Sequence, residues 1–190
     1  MTWDTLYDAC ITCKNCRLAE TRTNVVFGDG NRNANILFIG EAPGKDEDLS
    51  GTPFVGRGGK LLDEMLALIG LNRENIFLSN IVKCRPPANR DPLQVEQKAC
   101  TAWLESQISL LSPKIIVCIG RIAACYMMRA DFKITRDHGN WFYTPEGIAM
   151  MAIYHPAALL RDPRKRPDTF ADLKKLQAKI LELCPDTYEN

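Results

Sequence analysis

The chain has 190 residues, 46% hydrophobic and 25% charged, the size and composition of one ordinary globular domain with a real apolar core, which excludes disordered and fibrous classes. Its 24 basic and 23 acidic residues leave a net charge of +1, so a polyanionic partner has to be met by a local basic patch and not by the whole surface. No stretch reaches the roughly 20 apolar residues of a membrane span, and residues 1–17 lack the apolar run of a signal peptide; the expected location is the cytoplasm.

In chain order, the eight cysteines come first to notice, because in a reducing compartment they read as metal ligands or as small buried apolar residues and not as disulfides. Cys10, Cys13 and Cys16 cluster near the amino terminus, and Cys84 and Cys100 follow at a distance. Cys118, Cys125 and Cys184 sit in apolar or helical surroundings and are expected to be inert core residues.

Ile36 to Gly40 is a short apolar run ended by a Gly-Pro loop, which predicts a buried strand. Lys60 to Ile69 carries Leu61, Leu62, Met65, Leu66 and Ile69 at helical spacing, with Gly70 placed to end the helix. A second strand is predicted over Ile76 to Val82, stopped by Pro86 and Pro87, and a long helix over Leu93 to Leu111. A third strand follows at Ile115 to Ile119, then a helix at Ile122 to Met128. Trp141 to Tyr143 and Ile148 to Tyr154 flank a Thr-Pro-Glu-Gly turn and predict a hairpin, and Asp168 to Leu183 closes the chain as a helix. The alternation predicts an α/β fold: a three-layer α/β/α sandwich around a central, mostly parallel four-stranded sheet, with residues 1–190 forming one domain.

In open α/β sheets ligands bind beyond the carboxyl ends of the strands. Four segments are expected there: Gly40-Glu41-Ala42-Pro43-Gly44, Ser79-Asn80, Gly120 and His155-Pro156. Each has a bland reading. Gly40 and Gly44 need do no more than permit a tight turn, Asn80 serves backbone groups as readily as a ligand, and one His beside a Pro is commonly structural. Phe54, in the glycine-rich loop Gly51 to Gly59, offers a ring on which a planar ligand could stack, or simply plugs the core.

Taken together, Gly40-Glu-Ala-Pro-Gly-Lys-Asp-Glu-Asp48, Pro53-Phe-Val-Gly56, Asn80-Ile-Val-Lys-Cys-Arg-Pro-Pro87 and His155-Pro-Ala-Ala-Leu-Leu-Arg161 resemble the family 4 uracil-DNA glycosylases, from about Cys13 to the last helix. The resemblance implies a monofunctional enzyme of base excision repair that swings uracil out of single- or double-stranded DNA and hydrolyses its glycosidic bond. It implies a [4Fe-4S] cluster on Cys13, Cys16, Cys84 and Cys100, with Cys10 spare; from spacing alone, tetrahedral zinc is served equally well. It implies that Asn80 reads the uracil edge, that Phe54 stacks on the base, that backbone groups of Gly40, Glu41 and Ala42 line the pocket, and that His155 steadies the departing anion. Related families carry an Asp where this chain has Ala42, so Glu41 either takes its place, orienting water or stabilising the sugar cation, or only organises the loop.

DNA contacts are expected from Leu159 and Leu160 as wedges and from Arg161, Arg164, Lys165 and Arg166 on phosphates, although without the family context this reads as a helix start with a solvated charged end. No heptad or apolar stripe suggests more than a monomer. Two other classes compete: a non-catalytic nucleic-acid-binding protein with zinc or iron and sulfur, and an electron-transfer protein, which leaves the crevice residues without a task.

Overall fold

Branched apolar residues in short runs dictate the centre of the molecule. Ile36–Gly40 (β2), Phe77–Asn80 (β3), Ile115–Ile119 (β4) and Ala149–Ile153 (β6) are buried along their whole length, as strands covered on both faces must be. They pair in parallel, with Phe38 beside Leu78 and Val117, and Val117 beside Met151. Two short strands, Asp29–Gly30 (β1) and Phe142–Tyr143 (β5), pair antiparallel at the edges. Among the residues described in this computed structural model, 1–189, the sheet therefore has six strands in the order β1-β3-β2-β4-β6-β5, and it is mixed where four mostly parallel strands were expected. Asp29–Gly30 escaped sequence reading because a two-residue strand carries no periodicity.

The helices are Trp3–Ile11 (α1), Leu18–Thr21 (α2), Lys45–Ser50 (α3), Arg57–Ala67 (α4), Gln94–Leu111 (α5), Arg121–Met127 (α6), Ile134–Asp137 (α7), Pro156–Arg161 (α8) and Arg166–Leu183 (α9). Strand residues alternate between two apolar layers. Ile36, Phe38, Val117 and Met151 pack with Leu62 and Leu66 of α4 and Leu173, Leu176 and Ile180 of α9. Leu37, Ile39, Ile116 and Met150 pack on the other face with Cys100, Leu104 and Leu111 of α5 and Ala123 and Ala124 of α6. Each buried Leu or Ile contributes about 1.5–3 kcal/mol relative to exposure, so this two-sided burial holds the sheet between its helices.

The strand order places the chain reversal between β2 and β4, where one connection leaves through α4 and the next returns through α5. The crevice beyond their carboxyl ends is the natural binding position. The expected helices occur with ends shifted by up to three residues, while α1, α2, α3 and α7 lay outside the sequence reading.

Candidate active site

Glu41 and Ala42 leave the end of β2, Asn80 ends β3, Gly120 follows β4, and His155 lies two residues beyond β6. Together with Phe54 they line one crevice of about 660 Å³. Gly40 lies behind them and not on the lining: a Cβ there would run into Asn80 Oδ1 and the Phe54 ring. The glycine is what lets the amide and the ring sit against the same strand end.

Phe54 is held from three sides. Its backbone adopts a φ of 56°, and a Cβ on Gly59 would strike its carbonyl. Arg73 donates to Pro53 O at 2.9 Å and to Phe54 O at 2.7 Å, while Asp29 and Asp63 anchor the guanidinium at 2.8 and 3.3 Å. Glu47 accepts from the N–H groups of Val55 and Gly56, both at 2.9 Å, and of Gly44 at 3.1 Å, which joins the ring-bearing loop to the loop after β2. None of these supports stood out in the sequence, because they are ordinary charged residues far from the groups they hold.

His155 caps α8: its Nδ1 accepts from the Ala157 N–H at 3.1 Å. A ring nitrogen that accepts carries no proton, so the hydrogen resides on Nε2. Burial, with Arg161 adding to it, lowers the imidazole to about 4, and His155 is a neutral donor at neutral pH. Gly120, at φ 88°, permits this approach, since its Cβ would meet the His155 Cβ at 3.0 Å.

Burial pushes Glu41 up to about 7; Asp91 adds to the rise and Arg121 opposes it. Asp91 owes its place to α5. Glu96 binds Arg90 through both guanidinium nitrogens at 2.7 and 2.8 Å and accepts from the Leu93 N–H at 2.8 Å, which pins the loop that carries Asp91. Lys45, Arg57, Arg90, Arg121 and Arg161 also line the crevice. Of these cations only Arg161 was expected, because the others are brought in from separate elements by folding.

Residues 27–180 match the uracil DNA glycosylase superfamily. The chain is 46% identical over 181 residues to the type-4 uracil-DNA glycosylase of Archaeoglobus fulgidus, covering 92% of this chain and 89% of that protein. It is 44% identical over 186 residues to the type-4 enzyme of Sulfurisphaera tokodaii, with 94% and 84% covered, and 43% identical over 151 residues to that of Thermotoga maritima, with 79% of each covered. The chain belongs to the type-4 uracil-DNA glycosylases.

In this type-4 uracil-DNA glycosylase, Cys13, Cys16, Cys84 and Cys100 line a second, tight cavity of about 10 Å³ together with Cys10. All are free thiols. Arg22 Nη1 donates to Cys84 Sγ and the Lys83 N–H to Cys100 Sγ, both at 3.3 Å. Burial pushes the Cys84 thiol up to about 11 and raises Cys100, so a metal centre has to displace their protons as it binds. Soft sulfur donors from three chain segments line one cavity, two of them receiving N–H hydrogen bonds, and their chemistry suits a thiolate-bound centre, although among the described residues no three of them are gathered closely enough to hold a metal ion as they stand. Cys10, outside the expected ligand set, is fully buried on the same cavity, and burial pushes it up to about 12. Cys118 and Cys184 are buried and Cys125 partly so.

The expected wedge needs correction. Leu159 is 0% exposed and packs in the interior, so it cannot reach DNA; helical geometry turns the neighbouring Leu160, partly exposed, outward instead. Arg161, Arg164 and Arg166 are exposed, although Arg164 pairs with Asp162 at 2.8 Å. Lys165 lies over the Tyr154 ring at 5.4 Å. No helix among the described residues is long and apolar enough to cross a membrane.

Proposed function

We propose that the chain, read as one glycosylase domain over residues 1–190, removes uracil from DNA by hydrolysing its N-glycosidic bond and leaves an abasic site in base excision repair. The observation that carries this reading is the meeting of Glu41, Phe54, Asn80 and His155 on one crevice at the carboxyl ends of parallel strands.

A base inside a duplex keeps its glycosidic bond out of reach, so the nucleotide must leave the stack. In the crevice the extruded ring stacks on Phe54 and meets backbone groups of Glu41 and Ala42, with Gly40 behind them. The Asn80 amide accepts from N3–H and donates to O4 of uracil, a pattern that cytosine reverses. Asn80 is only 3% exposed, so a mismatched base leaves polar groups unpaired in a buried place.

As the bond between C1′ and N1 breaks, its electron pair goes to the base and positive charge develops on the sugar. His155 Nε2–H donates to O2 and stabilises the departing uracil anion; because the ring is already neutral, it acts as a fixed donor. Glu41, once ionised, orients water towards C1′ and takes its proton. Leu160 fills the space left by the base, and Arg161, Arg164, Lys165 and Arg166, with Arg57 and Arg121 on the crevice rim, meet phosphates. Locally gathered cations reconcile DNA binding with a net charge of +1.

Cys13, Cys16, Cys84 and Cys100 are the residues that would hold a [4Fe-4S] cluster. When bound, it supplies a covalent tie between the amino-terminal segment, the loop after β3 and α5.

The test is a glycosylase assay on anaerobically purified protein with a uracil-containing oligonucleotide. Free uracil should be released without strand cutting; no release at any salt concentration defeats the proposal. Iron and sulfide content with visible absorption is expected for the cysteine site, and a colourless zinc protein would overturn that part.

A further inference from the structure

Lys83 has no task in the chemistry above, yet it is 1% exposed between β3 and α5. Its Nζ donates to Ser79 Oγ at 2.5 Å, Asn80 O at 2.8 Å and Gln107 Oε1 at 2.6 Å. The acceptor roles are set by their own partners. The Gln107 amide donates to Phe27 O at 2.8 Å, which turns its Oε1 to Lys83, and the Ser79 hydroxyl donates to the same Oε1 at 2.8 Å, which leaves Oγ to accept. Three acceptors consume three hydrogens, and only an ammonium has that many; a neutral amine has two. Lys83 is therefore a buried cation.

All three acceptors are neutral, and a buried charge without a counter-ion is strongly unfavourable. Among the described residues no carboxylate pairs with Lys83, and Lys83 itself lines the cavity that Cys10, Cys13, Cys16, Cys84 and Cys100 surround. Cys84 follows Lys83 in the chain, and the Lys83 backbone N–H already holds the Cys100 sulfur. The missing anion thus lies on the side of the cysteine cavity.

We propose that Lys83 is the internal counter-cation of the four-cysteine site, offsetting the negative charge that Cys13, Cys16, Cys84 and Cys100 carry as thiolates around the cluster. This rests on the cluster reading above. The same ammonium is bound to the carbonyl of Asn80, so the charge of the cysteine site is fastened to the strand end that presents the base-reading amide. Lys83 is a positioning residue: it touches neither DNA nor the base.

The test compares holoprotein, purified anaerobically, with Lys83→Met and Gln107→Glu, by reduction potential and by the rate at which a chelator removes iron. Removing the cation, or setting a carboxylate against it, makes the site more negative and an added electron less welcome. Both potentials should shift negative, and iron loss should quicken severalfold. Potentials equal to wild type at equal iron content overturn the inference, whatever happens to thermal stability, because a packing role alone moves stability and not potential. If Lys83→Met does not fold, Gln107→Glu, nearly the same shape, decides alone. Wild-type protein that contains no iron overturns the cluster reading itself, before any variant is compared.

Discussion

The Ala157 N–H points at His155 Nδ1 from 3.1 Å, and this one hydrogen bond determines which ring nitrogen can serve the leaving group. A donor aimed at developing negative charge in a partly dry site is worth on the order of a hundredfold or more in rate. His155→Ala should therefore lower the single-turnover cleavage rate by about that factor with the fold intact; a wild-type rate would remove His155 from the reaction.

Glu41 gives the pH dependence its sign. Its carboxyl is pushed up to about 7, and only the ionised form takes a proton from water, so cleavage should rise with pH through about 7 and level off above. His155, lowered to about 4, stays neutral throughout pH 5 to 9 and adds no limb there. Glu41→Gln should be slower and lose the rise. A profile that keeps the same rise in that variant assigns it to another group.

Asn80→Asp replaces the donor that faces O4 with an acceptor. An unmatched buried polar contact costs about 1–3 kcal/mol, so preference for uracil over cytosine should fall by roughly 10- to 100-fold. Competition between the two oligonucleotides measures it, and unchanged selectivity would dismiss the assigned role.

Gly40→Ala tests the convergence of ring and amide without replacing either side chain. The new methyl group meets Asn80 Oδ1 and the Phe54 ring, and overpacking of this kind costs about 1–3 kcal/mol. A folded protein of modestly lower melting temperature, with inhibition by free uracil much weakened, is expected. Tight uracil inhibition in the variant would show that the two side chains do not share the base.

Sequence by itself determined the four main strands and the long helices, because unbroken apolar runs such as ILFIG and IIVCI and the helical spacing in Gln94–Leu111 report burial directly. It also isolated the residues whose chemistry is rare, Asn80, His155 and the separated cysteines, in the motifs that carry the family resemblance. What tertiary structure alone decided depends on approach between distant segments. Leu159 and Leu160 are identical in composition and differ only in which side of α8 meets the core, so burial withdrew one and left the other at the surface. The Glu41 carboxyl is raised first by its burial in the folded crevice and then by Asp91, which the Arg90 and Glu96 pair brings in, and the tautomer of His155 needs a helix to begin at Pro156. Lys83 looks in sequence like any surface lysine; only the closing of α5 over β3 encloses it with Ser79 and Gln107 and makes its charge a matter for the cysteines behind it. Hydrophobic pattern is a local property of the chain, whereas the charge state and direction of a polar group are set by whatever folding places beside it.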